Sequence, residues 1–210
     1  MNLFVTGIST EVGKTIASAI IVEALQADYW KPIQSGDLDH SDTDKVKALV
    51  SSPKITFHPN SYALKTPMSP HAAAEIDGIR IERSNIKVPK TTNHLVIEGA
   101  GGLLVPLNES DTIFDLIQPN DKVIVVSRHY LGSINHSLLT LNALKSADLE
   151  VAIVFSGNEH PTTAQIILAK TEIPMIGRID EEEGFDSKLV AKYAEKFRKN
   201  LLNFMEVWRP

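Results

Sequence analysis

The first fifteen residues limit the possible folds of this chain more than any other stretch. An apolar run, Leu3–Val5, ends at Gly7, and a polar loop then leads to Gly13–Thr15 at the start of an apolar helical pattern. The order of strand, glycine loop and helix suits phosphate, because backbone N–H groups at a helix N-terminus face an anion. The lysine of such a loop can bridge outer phosphate oxygens, and its threonine hydroxyl can bind Mg²⁺. Asn2–Thr15 therefore predicts a site for a nucleoside triphosphate and its metal.

The loop departs from the strict phosphate-loop pattern in one respect. That pattern has four residues between its glycines, whereas five residues, Ile8 to Val12, separate Gly7 from Gly13. A chance Gly-Lys-Thr at a helix start would explain the motif without any function. Chance rarely supplies a strand, a loop and a helix together at the very N-terminus, so we interpret the stretch as a variant phosphate loop.

Length and composition predict one domain, residues 1–210, that acts on small molecules. A chain of 210 residues can bury one sizeable core, and no shift in composition marks a second domain. The net charge of −5 offers no broad basic face, which argues against a nucleic-acid surface. Cysteine is absent, which excludes disulfides and thiolate catalysis and suits a reducing cytoplasm. With no signal peptide and no apolar run near about 18–20 residues, we expect a cytoplasmic protein without membrane contact.

Strand-like and helix-like stretches alternate along the chain. After the loop, the strand-like stretches are Tyr29–Ile33, His94–Glu98, Lys122–Ser127, Val151–Phe155 and Met175–Ile179. The helical stretches are Ile16–Leu25, Lys45–Val50, a helix that runs through about Ala147, about Thr162–Lys170 and about Ser187–Asn200. The alternation predicts a single-domain α/β fold with an open, mostly parallel sheet and helices on both faces, like that of phosphate-loop (P-loop) NTPases. Residues 51–93 show short helical possibilities at His71–Ile76 and Ile81–Val88 and no other clear regular structure.

Two charged side chains stand at predicted strand ends, where open parallel sheets bind their ligands. Lys31 lies near the end of one strand-like stretch, and Glu98 ends another, just before Gly99–Gly102. An acid in that position binds or orients the metal of phosphate-loop enzymes, and glycines there imply close approach of the backbone to another group. The alternatives are a solvated strand-end charge for Lys31 and a capping acid above a flexible turn for Glu98.

Three further stretches leave two interpretations open. Asp37–Asp44 holds four carboxylates, which either cap the next helix, with Ser41 or Asp42 as N-cap, or serve a Mg²⁺ site. Thr66–His71 is a stiff, turn-forming segment that either shapes a pocket or only connects two elements. Leu131–Asn135 opens a helix whose N-terminal amides either face an anion such as a carboxylate or form an ordinary helix start. The seven histidines show no metal-ligand spacing.

Several motifs together resemble those of the dethiobiotin synthetase family. They occur in the family's order between residue 4 and about residue 136, and they include the five-residue spacing of its phosphate loop. The motifs are Phe4–Gly7 with Thr10–Thr15, Lys31–Pro32 with Ser35–Gly36, Ser41–Asp42, Pro67–His71, Glu98–Gly102 and Leu131–His136. Beyond about residue 150 the likeness is confined to the order of strands and helices.

The resemblance implies a Mg²⁺-dependent cyclo-ligase that uses ATP to make dethiobiotin from 7,8-diaminononanoate and CO₂, the penultimate step of biotin synthesis. A substrate amine captures CO₂ as a carbamate, and a carbamate oxygen then takes the γ-phosphoryl group. The second amine attacks this mixed anhydride and expels phosphate. Phosphoryl transfer asks the protein mainly for positioning and charge neutralisation.

The resemblance also implies roles for individual residues. Lys14 would hold β- and γ-phosphate oxygens, and Lys31 would neutralise the charge that grows between the carbamate and the γ-phosphate. The expected Mg²⁺ ligands are Thr15, Asp42 and Glu98, with Asp44 in place of Asp42 if the alignment slips by two residues. The expected catalytic residues are Lys14, Lys31, Thr10 and Ser35.

The remaining expected positions belong to the nucleotide and substrate sites. The nucleotide site is expected to contain Glu11, Val12, Gly13, Lys14, Thr15, Glu98, Gly101, Gly157 and Asn158. The substrate site is expected to contain Thr10, Lys31, Ser35, Pro70, Gly101, Leu131, Gly132, Ser133, Ile134 and Asn135. In the family, the helix start at 132–135 receives the substrate carboxylate from the partner subunit, so the resemblance implies a homodimer whose sites span the interface.

The likeness fails where the family reads the nucleotide base. After the strand Val151–Phe155 the family usually carries an Asn-Asp pair, whereas here Gly157 falls where that Asn would stand and Asn158 comes one residue late. A second base-contacting region, Arg178–Gly184, offers acids and lacks the usual proline. Hydrogen bonds to ring edges discriminate bases, so we expect GTP and other triphosphates to be accepted alongside ATP. Alternatively, Asn158 shifts by one residue and restores the adenine contact.

Two other function classes remain open at this point. One is a nucleotide-dependent switch that positions partner proteins on a similar fold with a similar loop, and the other is a non-catalytic nucleotide-binding module. A switch has no evident use for Lys31, Pro67–His71 or Leu131–Asn135, which argues against the first. The presence of two lysines and two acids at the expected site argues against the second.

Overall fold

The computed structural model describes residues 1–206, and residues 207–210 of the predicted single domain lie outside the described part. A seven-stranded sheet and a two-stranded sheet are present within it. The strands are β1 (Asn2–Gly7), β2 (Asp28–Trp30), β3 (Ile33–Ser35), β4 (Phe57–His58), β5 (Tyr62–Leu64), β6 (Leu95–Gly102), β7 (Lys122–Arg128), β8 (Glu150–Ser156) and β9 (Met175–Ile179). The helices are α1 (Lys14–Leu25), α2 (Asp42–Leu49), α3 (Pro70–Ile76), α4 (Ser133–Ser146), α5 (Pro161–Thr171) and α6 (Ser187–Glu206).

The large sheet has the strand order β4-β2-β6-β1-β7-β8-β9, and its neighbouring strands are parallel. The β1-α1-β2 connection runs toward one edge of the sheet, whereas β7-α4-β8 runs toward the other. Because such crossovers are right-handed, α1 and α4 lie on opposite faces. Contacts of α1 with α6 and of α4 with α5 complete the two helical layers. The predicted mostly parallel α/β fold is therefore confirmed.

The central strand β1 places the phosphate loop at the middle of the sheet's carboxyl edge. It is paired with β6 on one side and β7 on the other, and Leu3, Phe4 and Val5 are fully buried. A strand covered on both faces reads as a continuous apolar run, as this one does. The loop after β1 consequently has Glu98 of β6 on one side and the end of β7 on the other.

The predicted strand Tyr29–Ile33 is wrong in its second half, because the structure divides it at Pro32. Strand β2 ends at Trp30, and β3 begins at Ile33 and pairs with β5 in the separate two-stranded sheet. Proline lacks the N–H that a sheet interior requires, so the chain leaves the large sheet there. Lys31 thus stands in the bend just beyond the carboxyl end of β2, which keeps it at the ligand-binding edge of the sheet.

The stretch 51–93 contains more regular structure than the sequence indicated. Strands β4 and β5 and helix α3 lie within it, and α3 matches the helical possibility at His71–Ile76. The second possibility, Ile81–Val88, is wrong, because only a short 3-10 turn forms at Arg83–Asn85. Pro89 follows this stretch, and the residue before a proline is disfavoured in a helix.

Candidate active site

The loop between β1 and α1 folds tightly over its own backbone. A Cβ atom on Gly7 would lie 2.6 Å from Val12 Cγ2 and 2.8 Å from the Ser9 carbonyl oxygen, so only glycine fits there. Gly13 precedes α1 with φ +87°, in the left-handed region that favours glycine, and a Cβ atom there would be in ordinary contact with Ser156 at 3.7 Å. The Ser156 hydroxyl donates to the Val12 carbonyl oxygen at 2.7 Å and so ties the loop to the end of β8. The loop is held in place from both flanks.

Lys14 lies inside this loop and is almost completely buried. Its Nζ donates to the Ser9 carbonyl oxygen at 3.1 Å, as expected for a side chain that curls back under an anion cradle. Burial lowers the pKa of Lys14 to about 8, while the charge of Glu98 acts in the opposite direction and Lys31 lowers the pKa further. Burial makes the charged form of Lys14 unfavourable, and a nearby anion would stabilise that form, so this position favours binding of an anion.

Lys31 is buried between two carboxylates. Its Nζ donates to Asp42 Oδ2 at 2.5 Å and to Glu98 Oε1 at 3.0 Å. Burial acts to lower the pKa of Lys31, but the charges of Glu98 and Asp42 outweigh it and raise the pKa overall. Burial likewise acts to raise the pKa of Asp42, and the Lys31 ammonium overcomes it and holds that pKa below its usual range. The lysine and Asp42 are therefore both charged at neutral pH.

Glu98 is fully buried, and its carboxylate joins three elements. The Thr15 hydroxyl at the start of α1 donates to Oε1 at 3.1 Å, and Lys31 donates to the same oxygen. The Tyr29 hydroxyl of β2 donates to the other oxygen, Oε2, at 3.0 Å. The structure thus brings together Thr15, Asp42 and Glu98, the predicted metal-binding residues, around the Lys31 ammonium.

The two candidate acids, Asp42 and Asp44, have different surroundings at the start of α2. Ser41 is the N-cap, and Asp44 accepts from its backbone N–H at 3.0 Å and from its hydroxyl at 2.6 Å, which forms a capping box. These hydrogen bonds from Ser41 hold the pKa of Asp44 below its usual range. The Asp42 carboxylate, two residues earlier, points instead to Lys31 at the cavity. Capping therefore accounts for Asp44, and Asp42 stays the candidate for a metal.

A cavity of about 730 Å³ opens above these side chains. Of the predicted site residues, it is lined by Thr10, Glu11, Gly13, Lys14, Thr15, Lys31, Ser35, Asp42, Pro70, Glu98 and Gly101. Pro67–Pro70 also line it, so this segment shapes a pocket. The Ser35 hydroxyl is buried and finds no hydrogen-bond partner among the described residues, which leaves it available to a ligand. The volume is in the range of small-molecule sites.

The other predicted site residues lie outside this cavity. Val12 is buried with 1% exposure and offers only its backbone. In the segment Leu131–Asn135, Leu131 is fully exposed, Gly132 is the N-cap and Ser133 begins α4. None of these five residues lines the cavity. Asn158 is exposed beyond β8. Within one chain, therefore, the predicted carboxylate-binding helix start is separate from the cavity that holds the two lysines.

A surface ion pair lies beside Gly157, one of the positions expected in the nucleotide site. Arg128, at the end of β7, donates from Nη2 to both carboxylate oxygens of Glu181 at 2.9 Å, and the two side chains are 42% and 46% exposed. The pair passes over Gly157, where a Cβ atom would lie 3.3 Å from Glu181 Oε2. Arg128 also lines the main cavity. Glu181, the acid of the 178–184 stretch that lies near Gly157, is thus already paired with Arg128.

The sequence analysis gave no role to several residues at this cavity, and three of them make informative contacts. The Tyr29 hydroxyl donates to Glu98, Gln34 lines the cavity and accepts from the Asp42 N–H at 3.2 Å, and Arg128 lines the cavity near Gly157. A signal existed only for Tyr29, which stands two residues before Lys31, the interval at which a strand repeats its faces. The other two depend on which chain segments become neighbours.

The donor set fits a magnesium ion that arrives with phosphates. Among residues 1–206, no group of three or more His, Cys, Asp or Glu side chains is placed to hold a metal alone. Asp42, Glu98 and the Thr15 hydroxyl supply hard oxygen donors at one edge of the cavity. Mg²⁺ is typically bound through one or two carboxylates together with substrate phosphates.

Residues 1–206 contain no helix long and apolar enough to span a membrane.

Comparison with known proteins gives one consistent family. The family model described as an AAA domain matches residues 1–188. The chain is 61% identical over 201 residues to the ATP-dependent dethiobiotin synthetase BioD of Christiangramia forsetii, which covers 95% of this chain and 97% of that protein. It is 46% identical over 200 residues to the protein of the same name from Cytophaga hutchinsonii, with 94% and 97% covered.

Solved structures with similar folds include ATPases of other kinds. A ParA family ATPase from Chlorobium tepidum matches with a TM-score of 0.57 and 14% identity over 96% of each chain. A chain from the MinC:MinD cell division protein complex of Aquifex aeolicus matches with a TM-score of 0.52 and 15% identity, over 100% of this chain and 97% of that one. At such identities the likeness concerns the fold alone, and it agrees with the predicted phosphate-loop NTPase architecture.

Proposed function

The chain belongs to the family of ATP-dependent dethiobiotin synthetases, and from that membership we propose how its own residues carry out the synthesis. It is a cyclo-ligase of biotin synthesis that consumes ATP. The diamine 7,8-diaminononanoate and CO₂ form a carbamate through a new C–N bond, and the carbamate oxygen attacks the γ-phosphorus while ADP leaves. The second amine then attacks the carbamoyl carbon, phosphate leaves, and the cyclic urea closes.

The observation that supports the division of roles is the convergence of Lys14 and Lys31 beside two acids in one cavity. Lys14, inside the phosphate loop, binds the β- and γ-phosphate oxygens. Lys31 stands deeper, against Asp42 and Glu98, and neutralises the negative charge that develops as the γ-phosphoryl group moves to the carbamate. Both ammonium groups are held in the cavity by hydrogen bonds to the chain itself, so the fold defines their positions.

Thr15, Asp42 and Glu98 would hold Mg²⁺, in agreement with their hard oxygen donors at the cavity edge. When bound, the metal neutralises triphosphate charge and helps to hold the phosphates in line. Thr10, Glu11 and Ser35 line the phosphate and substrate part of the cavity, with Pro70 and Gly101 opposite. The unpaired Ser35 hydroxyl is suited to a substrate amine or a carbamate oxygen.

The activity test follows from these assignments. Incubation with diaminononanoate, bicarbonate, ATP and Mg²⁺ should release phosphate and the cyclic urea in equal amounts, and Lys14→Ala protein should release neither. Phosphate released equally well without the diamine would instead favour a nucleotide-dependent switch. The fold likeness to ParA and MinD-type ATPases makes this control necessary.

The active unit is proposed to be a homodimer in the cytoplasm. Leu131 is fully exposed, and the helix start that it precedes is outside the cavity, which supports a role for 131–135 in the site of a partner subunit. Mixing inactive Lys14→Ala with inactive Asn135→Ala protein should restore some activity, because a mixed dimer can assemble one intact composite site. No recovery after confirmed subunit exchange would contradict the shared site. A chain without cysteine suits the reducing cytoplasm.

We also propose that the enzyme accepts triphosphates other than ATP. Asn158 is exposed, and Glu181 is paired with Arg128, so neither side chain is fixed toward a base edge. Binding would rest on the triphosphate and Mg²⁺. The alternative, a shift of Asn158 toward the adenine edge, is distinguished by comparing kcat/KM for ATP, GTP and CTP.

A further inference from the structure

Tyr29 lies directly beneath the carboxylate pair, and neither the family's motifs nor the proposed reaction steps use it. Its side chain in β2 is fully buried, with the ring packed at 6.0 Å between centroids from Phe57 of the neighbouring strand β4. Its hydroxyl makes one hydrogen bond among the described residues, to Glu98 Oε2 at 3.0 Å. The buried Tyr29 hydroxyl is thus hydrogen-bonded to a residue of the candidate active site, Glu98.

The two oxygens of Glu98 have different neighbours. Oε1 accepts from Thr15 and Lys31 and borders the cavity side of the cluster, whereas Oε2 accepts from Tyr29. The last torsion of a glutamate side chain is broad and nearly two-fold, so one oxygen alone does not fix the plane of the carboxylate. A second anchor on the far oxygen fixes it.

We propose that Tyr29 is a positioning residue that locks the plane of the Glu98 carboxylate, so that Oε1 stays directed at Lys31 and Thr15 during the ATP-dependent reaction. The inference rests on the proposed role of Glu98 as a Mg²⁺-binding residue. Orientation is then fixed before the nucleotide binds, since the partner is a rigid aromatic residue of the sheet. Without the hydroxyl, Oε2 is left buried and unpaired, and the carboxylate turns to find another donor.

The first test is Tyr29→Phe, which keeps the ring and removes the hydroxyl. Binding of a fluorescent ATP analogue is titrated at increasing Mg²⁺, together with kcat and the thermal midpoint. We expect a rise of about tenfold in the Mg²⁺ concentration that gives half of the maximal increase in nucleotide affinity. The reason is that loss of a side chain hydrogen-bonded to a metal ligand typically weakens metal binding by about that factor or more. Nucleotide affinity without added Mg²⁺ should be unchanged. A lower thermal midpoint with an unchanged Mg²⁺ requirement would mean a purely structural role and overturn the inference.

The matched control is Tyr62→Phe. The Tyr62 hydroxyl accepts from the Glu82 backbone N–H at 3.0 Å and from Asn85 Nδ2 at 3.4 Å, and it donates to the Glu82 carbonyl oxygen at 3.4 Å. This variant therefore also loses the hydrogen bonds of a phenol, away from Glu98. Tyr62 does not line the main cavity. We expect its Mg²⁺ requirement and kcat to match those of the unmodified enzyme. A tenfold rise here as well would show that the effect of Tyr29→Phe is unspecific and would overturn the inference.

A double-variant cycle separates this inference from the function on which it rests. Glu98→Gln should itself raise the Mg²⁺ requirement, and adding Tyr29→Phe to it should change nothing more, because the residue through which Tyr29 acts is already altered. An additional tenfold rise in the double variant would overturn the role of Tyr29 alone. An unchanged Mg²⁺ requirement in Glu98→Gln would instead overturn the metal-binding role of Glu98, and this inference with it.

Discussion

The proposed phosphate end of the main cavity and its proposed base end, around Gly157, differ in how firmly their side chains are fixed. At the phosphate end, Lys14, Lys31 and Glu98 are 7%, 4% and 0% exposed, and each is hydrogen-bonded within the chain. At the base end, Asn158 is exposed and the Arg128–Glu181 pair is nearly half exposed. The side chains proposed to meet developing charge are thus held by the fold, whereas those proposed to lie near the base are surface side chains.

The largest effect is expected at the phosphate loop. Lys14→Ala should remove nucleotide binding and lower turnover by about 10³-fold, because a buried cation is lost from the anion cradle. Nucleotide titration and phosphate release measure the two effects. The matched control is Lys47→Ala, which removes the same charge from an exposed position of α2 outside the cavity lining and should change either quantity by less than about threefold. A Lys14→Ala protein that binds ATP normally would remove the basis of the comparison.

The second effect separates binding from chemistry within the same end. Lys31→Ala should reduce turnover by about 10²-fold or more while nucleotide affinity changes far less, because its charge is needed mainly in the transition state. The comparison of kcat with the nucleotide dissociation constant tests this. If affinity fell as much as turnover, Lys31 would be a nucleotide-binding residue, and the phosphate end would have no separate catalytic part.

The third effect concerns the base and should be small. The ratio of kcat/KM for ATP to that for GTP or CTP, at saturating diamine, should stay within about tenfold, since each net hydrogen bond contributes only about 0.5–1.5 kcal/mol. Asn158→Ala should leave this ratio nearly unchanged. An ATP preference above about 100-fold, or about 2.7 kcal/mol, that disappears in Asn158→Ala would show that Asn158 reads the base after all.

The smallest effect is a pH dependence at the base end. His129 follows β7 and stacks on Phe155 of β8. Burial lowers the pKa of His129, and the charges of His160 and Arg178 lower it further. A histidine whose pKa is lowered by folding stabilises the folded state at pH values above its unfolded pKa of about 6.5. This stabilisation is lost as the pH falls through the pKa of the folded state.

Hydrogen exchange measures this loss. Amide exchange in 155–162, corrected for intrinsic rates, should increase by less than about tenfold, or about 1.4 kcal/mol, between pH 7.5 and 5.5. In His129→Phe protein the increase should disappear, while exchange in the phosphate loop should stay constant in both proteins. An equal increase at both ends would mean that acid loosens the whole fold, and the two ends would not differ in this respect.

The sequence predicted the parts of the site that depend on local order. The phosphate loop lies within fifteen residues, and Lys31 and Glu98 follow from the rule that parallel strands place ligands at their carboxyl ends. The sequence also contains a reason to prefer Asp42 to Asp44, because Ser41 three residues before Asp44 is the spacing of a capping box. An acid that already accepts hydrogen bonds from an N-cap residue is a weaker candidate for a metal.

The rest depended on which distant segments become neighbours. Tyr29 meets Glu98 because β2 pairs with β6, and the two residues are 69 positions apart. Arg128 and Glu181 are 53 positions apart and meet across the end of β8. The break at Pro32 is the opposite case. The local rule that proline interrupts a sheet applies within Tyr29–Ile33, and the predicted strand is wrong beyond Trp30 for that reason.

The two glycines that flank the phosphate loop differ in their expected mutational tolerance. Any side chain at Gly7 would clash with Val12 and the Ser9 carbonyl oxygen, so no substitution at this position should be recovered from a saturation library. Among the described residues, Gly13 is constrained by its left-handed backbone and not by crowding, since a Cβ atom there would lie 3.7 Å from its nearest side-chain neighbours, and asparagine adopts that backbone more readily than other residues. Selection for a folded protein alone should therefore recover Asn at position 13 but not at position 7. Selection for activity should remove Asn at position 13 as well, because Gly13 lines the cavity proposed for the nucleotide.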